Sequence, residues 1–406
     1  MNPETGLRSL GTDAMSRLRL SSFDPDRLLR RARRNTGLND FGDDALHESI
    51  SRLFESYRLE SRLTLIGRIA VLRDAQRLLE TRLRLNAFWR EHPDVGAQVI
   101  RRPIFITGLP RSGTTLLHGL LAQDPAHRVP LTWEVMFPLP APRVRDYATD
   151  PRIRKTDRML AWLDRLAPGF RVIHPVGATL PQECIAITSY TFQSPQFHTT
   201  CATPSYQAWL SGRERCPEYA FHRHFLQHLQ WRRPGDRWVL KAPSHLHTLD
   251  ALLATYPDAT IVQTHRDPAA VIASVSSLTE VLQGAFSLGA DRAAIGREAL
   301  DRWSVALERA TRSRMTDPRR ERRFVDVRYR DLQSEPLRVV RELYSRLDMD
   351  LTGSVERRMR HFLRDNPKDK VGRHRYTLGD FGLDAGEVNE RFSGYRERYD
   401  VGPDAA

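Results

Sequence analysis

Residues 103–121 leave this chain little freedom. Pro103-Ile-Phe-Ile-Thr is an apolar run too brief for a helix, Gly108-Leu-Pro-Arg-Ser-Gly-Thr-Thr115 is a glycine-bounded turn, and Leu116 to Leu121 resumes at helical spacing. Strand, loop and helix in that order turn successive backbone N–H groups toward one point, and the helix adds its positive end there. Such a turn is an anion cradle. Arg111 supplies charge to it, Ser112, Thr114 and Thr115 supply hydroxyls, and Gly113 lets the backbone approach closely.

Three more units repeat the alternation. Trp238-Val-Leu240 ends at Lys241-Ala-Pro-Ser244, with Ser244 as N-cap of a helix through Leu246, Leu249 and Leu253. Ile261 to Thr264 leads through His265-Arg266 to a helix capped by Asp267 and opened by Pro268. Phe324 to Tyr329 precedes a helix over 336–347. The fold expected is α/β, a P-loop-like doubly wound parallel sheet flanked by helices, with ligands at the strand C-terminal ends. Residues 1–99 read as an N-terminal helical region packed on the main domain, since Leu46, Ile50, Leu53 and Tyr57 fall three or four apart and Leu63 to Trp89 continue the pattern. The main domain is then 100–406, and its insertion at about 130–235, rich in Pro, His and aromatics, is the expected acceptor side.

The net charge of +13 suits a polyanionic small molecule, an acidic membrane surface or nucleic acid. The basic residues come in short pairs with acids between them and form no stripe interleaved with aromatics, so nucleic acid is set aside. Only four of the 63 basic residues are lysines, which singles out Lys241. Three scattered cysteines give neither a disulfide framework nor a zinc site. No apolar run approaches the ~20 residues of a membrane span, and residues 1–20 lack a secretory apolar core, so a cytoplasmic protein with at most peripheral membrane contact is expected.

A second anion site follows from Arg266 with Ser274 eight residues on, a guanidinium and a hydroxyl at the start of one helix. The first loop differs from a Walker A motif because Thr114-Thr115 stand where Lys-Ser/Thr would. Together these residues resemble the PAPS-dependent sulfotransferases (PAPS is 3′-phosphoadenosine 5′-phosphosulfate), in particular the bacterial branch near the tyrosylprotein sulfotransferases. The resemblance covers roughly 100–380. It implies a 5′-phosphosulfate site at Pro110 to Thr115, a 3′-phosphate site at Arg266 and Ser274, a family lysine at Lys241, a PAPS contact at Tyr329, and a late basic segment, Lys370 to Arg375 with Arg373 among its cations, over the donor. Arg111 stands where cytosolic sulfotransferases commonly carry lysine.

The expected reaction is in-line sulfuryl transfer from PAPS to a hydroxyl or amine, with PAPS as donor co-substrate and no metal. Lys241 and Arg111 are the candidates for stabilising the leaving group. Two residues compete as base: Glu134, nearly at the position of the catalytic glutamate of the tyrosylprotein branch, and His245, four residues after Lys241. Glu183 is a candidate to orient the acceptor or an arginine, or simply an acid favoured at a helix N-terminus. His222, His224 and His228 lack companion ligands and are assigned to a helix surface or core edge. A P-loop small-molecule kinase and an inactive nucleotide-binding scaffold are the rival functions. Small-molecule, carbohydrate, glycolipid and peptide acceptors all stay open.

Overall fold

A computed structural model describes residues 23–42, 45–166, 177–213, 216–367 and 376–404. The chain forms two compact units, one of residues up to His92 with Ser189–Arg213 and Gln283–Gly289, the other of the remainder. The smaller, helical unit thus includes two later stretches of the chain, one of them from within residues 130–235.

In the helical unit, α1 (Pro25–Thr36), α2 (Leu46–Leu59) and α3 (Leu65–Glu91) carry the periodic residues seen in the sequence. Asp24 caps α1 by accepting from the Arg27 N–H, and Gly37 ends it in the left-handed conformation. Buried Arg82 on α3 donates to the carbonyls of Phe41 and Tyr190, at 2.6 and 2.9 Å, tying the segment around 190 to the first three helices. The 283–289 stretch lies against the start of α3: Thr64 N–H donates to Phe286 O, Leu288 N–H donates to Arg62 O, and Leu63 bridges Ser287.

The larger unit is built on five strands in the order β2-β3-β1-β4-β5, all parallel, namely β1 (Ile104–Gly108), β2 (His127–Arg128), β3 (Arg237–Lys241), β4 (Thr260–His265) and β5 (Phe324–Arg328). Ile104, Ile106, Val239 and Val262 pack on one face with Leu117 and Leu120 of α4 (Thr114–Leu121). Further helices, α10 (Pro336–Arg346) and α11 (Gly353–Asp365), complete that core with Val340 and Met359. Phe105 points the other way, its ring 5.0 Å from Tyr256 and 6.3 Å from His222. The chain also forms α5 (Thr132–Met136), α6 (Cys216–Gln230), α7 (Leu249–Thr255), α8 (Pro268–Gly284) and α9 (Arg292–Met315). The helix expected from Ser244 opens instead as a 3₁₀ turn, Pro243–His247, and becomes α-helical only at Leu249.

Candidate active site

The cradle loop leaves β1 through Gly108, at φ 140°, where a Cβ would stand 2.3 Å from Thr264 Oγ1. It enters α4 through Gly113, at φ 87°, with Leu332 and the Tyr329 ring closing on its Cα. Both glycines are required by backbone shape and by space. Arg111 takes φ 64° without that freedom, a conformation sparsely populated for a side-chain-bearing residue. Ser112 departs from its expected role. Its hydroxyl is buried, donating to Leu109 O and meeting Thr264 Oγ1 at 2.6 Å, so it locks the loop onto β4 instead of facing a ligand. Thr114 is buried at the helix start and Thr115 is exposed.

The second motif abuts the first because β4 pairs with β1 in register, Gly108 opposite Thr264. Arg266 donates through Nη1 to Arg111 O at 2.5 Å, and Arg111 Nε lies 3.3 Å from Ser274 Oγ. The Arg266 guanidinium lies over the Tyr329 ring, 4.1 Å from its centre, and its Nε donates to Asp404 at 2.7 Å. Tyr376 donates to Ser274 at 2.6 Å. Neither Tyr376 nor Asp404 was singled out in the sequence, since nothing in spacing links them to residues more than a hundred positions away. Lys370, Arg373 and Arg375 lie outside the described residues.

Lys241 ends β3 in register with Ile106, so its side chain leaves the sheet on the α4 face. Its ammonium pairs with the Glu183 carboxylate and lies 3.4 Å from Thr115 Oγ1. Beneath it, buried His118 hydrogen-bonds to Val239 O, and burial, with Lys241 adding to it, holds its pKa down at about 3.

The structure places both candidate bases away from this cluster. Glu134 is wholly buried in a bidentate pair with Arg128, at 2.6 and 3.1 Å, and also accepts from Leu131 N–H. Arg128 is held in turn by Tyr147 OH and by the carbonyls of Val129 and Leu229, with the Trp238 ring 4.9 Å away. A carboxylate sealed in this way has no surface to offer an acceptor. His245 is packed edge-on to Phe105 on the opposite face of the sheet, with Nδ1 2.6 Å from Tyr219 OH. His222 and His228 are core residues too, against Tyr256 OH and Pro138 O. Among the described residues no cluster of His, Cys, Asp and Glu has the makings of a metal site.

Glu183 is the carboxylate that does meet the cluster. Its loop is laced to the turn bearing Glu134: Gln182 N–H donates to Pro130 O, Thr132 N–H to Leu180 O, and Leu131 bridges Pro181. The two acids are thus neighbours in architecture, with different surroundings.

Comparison with known proteins agrees with this geometry. The sequence profile of the sulfotransferase family matches residues 103–353. Omega-hydroxy-beta-dihydromenaquinone-9 sulfotransferase Stf3 of Mycobacterium bovis is 26% identical over 311 residues, 73% of this chain and 74% of that one. The crystal structure of sulfotransferase STF1 from Mycobacterium tuberculosis is 35% identical with a TM-score of 0.80, covering 91% of this chain and 98% of its own. That of STF9 from Mycobacterium avium is 29% identical with a TM-score of 0.85, covering 94% and 98%. The chain belongs to the sulfotransferase family: it is an enzyme that transfers a sulfuryl group, and membership implies PAPS as the donor.

Proposed function

We propose that the nucleotide of PAPS lies across the C-terminal ends of β1 and β4. Loop 108–115 receives the 5′-phosphosulfate through backbone N–H groups, Thr114, Thr115 and the end of α4, while Arg266 and Ser274 receive the 3′-phosphate. The observation that carries this reading is the double link between the motifs, Arg266 to Arg111 O and Arg111 to Ser274 Oγ. Two anion sites that share hydrogen bonds are close enough for one nucleotide. PAPS supplies a sulfuryl group on a phosphate leaving group. Tyr329 closes the cradle at Gly113 and supports the Arg266 guanidinium from below.

Lys241 lies between the cradle helix and Glu183. From there its ammonium can follow charge onto the departing bridging oxygen, with Arg111 beside it. Glu183 takes the acceptor proton: the acceptor oxygen bonds to sulfur, the sulfur–phosphate oxygen bond breaks, and the proton passes through the carboxylate to solvent. The acceptor we favour is a hydroxyl on an apolar, lipid-like molecule, since the Stf3 relative acts on a menaquinone-derived compound.

Calorimetric titration with 3′,5′-bisphosphoadenosine tests the donor reading. Binding should weaken about tenfold or more in Arg266→Ala, as expected for a lost charge-assisted phosphate contact. Mg²⁺-dependent ATP binding with no response to the bisphosphate would overturn it.

A further inference from the structure

The helical unit carries an apolar surface that sulfuryl transfer does not use. Nine large apolar side chains stand well exposed among the described residues, and five of them, Leu59, Leu65, Ile66, Ile69 and Leu288, belong to this smaller unit. Leu65 is 75% exposed, Ile66 51%, Ile69 44% and Leu288 60%. Leu65, Ile66 and Ile69 fall within one arc of the first turns of α3, because residues three and four apart share a helix face. The bond from Leu288 N–H to Arg62 O and the Leu63–Ser287 bridge set the fourth residue beside the start of that helix. Scattered exposed leucines need no explanation, but neighbouring ones mark a surface that something covers.

Its charge says what. Residues 58–73 contain Arg58, Arg62, Arg68 and Arg73 against one acid, Glu60, and 283–289 contain no charge. Arg58, Arg62 and Arg73 are exposed, and Arg73 continues the Leu65–Ile69 face one turn on. The Arg62 guanidinium lies 3.5 Å from where a Cβ on Gly289 would be, alongside Leu288. Glu60 is half-buried, accepting from Ser56 Oγ and Ser205 N–H, and the acids that flank these stretches are Glu55, Asp74, whose carboxylate pairs with Arg77, and Asp291, which accepts from Ala294 N–H. Apolar side chains bordered by arginine match a bilayer interface, where the former enter the acyl boundary and the latter meet anionic headgroups. No described helix is long and apolar enough to cross a membrane, so the contact is to a surface.

We propose that the start of α3, with Leu288 and the flanking arginines, docks this enzyme on an anionic lipid bilayer. The proposal stands apart from the donor and base assignments, none of whose residues lie in this unit. Co-sedimentation of the full chain with mixed phosphatidylglycerol–phosphatidylcholine vesicles tests it, with bisphosphate binding as the check that each variant is folded. Wild type should bind those vesicles and leave pure phosphatidylcholine at least about tenfold more readily, and added salt should weaken it. Ile66→Glu with Ile69→Glu should cut partitioning about tenfold or more, and Arg62→Glu with Arg73→Glu by a similar factor. Failure of wild type to sediment with anionic vesicles overturns the proposal, as does unchanged partitioning of the folded Ile66/Ile69 variant. Loss of a dimer in that variant, with vesicle binding intact, would show the face to be a contact between copies and also overturn it.

Discussion

Two carboxylate–cation pairs sit near each other in the larger unit and share almost every chemical property except surroundings. Glu134 and Arg128 are sealed, with side chains 0% and 1% exposed, and the guanidinium has aromatic rings and carbonyls on its remaining sides. Burial alone would lower the Arg128 pKa, yet the adjoining Glu134 carboxylate raises it, so the guanidinium keeps its charge inside. Glu183 and Lys241 lie at a strand end, the carboxylate 15% exposed and the ammonium within reach of the cradle helix. The first pair fixes the 128–134 turn, and through it the loop that holds the second. The difference teaches that a buried ion pair whose partners are used up is left only a framework role, while one with an open face stays available for the chemistry we propose.

The sharpest way to break this contrast is Glu183→Gln. Turnover should fall about 10²–10⁴-fold, the range for losing a general base, while bisphosphate binding changes little. Steady-state sulfate transfer beside calorimetry reads both, and near-wild-type turnover would end the base assignment. Glu134→Gln should do the reverse, costing about 3–5 kcal/mol of stability in urea unfolding because Arg128 is left buried without its partner. Its folded fraction should keep at least tenfold more activity than Glu183→Gln, on the order of the gap between positioning and proton transfer. A pH-dependent effect comes from acid. His118 and His222 both have folded pKa values near 3 against an ordinary 6.5, so the unfolded chain binds more protons between those values. Stability is complete above pH 6.5 and drains away as pH falls toward 3, which urea titrations stepped down from neutral pH would follow. Least should happen with His245→Phe: turnover within about threefold of wild type, and roughly 1 kcal/mol lost from the bond to Tyr219.

The sheet was legible because strand residues such as Ile104 to Thr107 are short, apolar and followed at once by a turn that only glycine can make. The two candidate anion motifs could be picked out for the same reason: each lies within one strand–turn–helix unit, where spacing along the chain is spacing in space. The base was not. Glu134 sits at a familiar distance from the cradle, but whether it faces solvent or Arg128 depends on β2, Tyr147 and Leu229, which the local pattern does not mention. Glu183 is set opposite Lys241 by backbone bonds to Pro130 and Leu180, a tertiary fact. The helical unit was half legible, its periodicity plain and its borrowed segments invisible, because Arg82 joins 41 to 190 through carbonyls that any sequence would supply.

In the donor site we propose, the contact between Arg266 and Asp404 has its own consequence for which nucleotides are accepted. A guanidinium already satisfied by a carboxylate releases it only to a stronger anion, and a phosphate with more charge and three oxygens is one. A nucleotide bearing a bare 3′-hydroxyl cannot make that exchange and gains nothing from Arg266. On that proposal selectivity begins as a substitution of one acid for another, before any sulfate is in place.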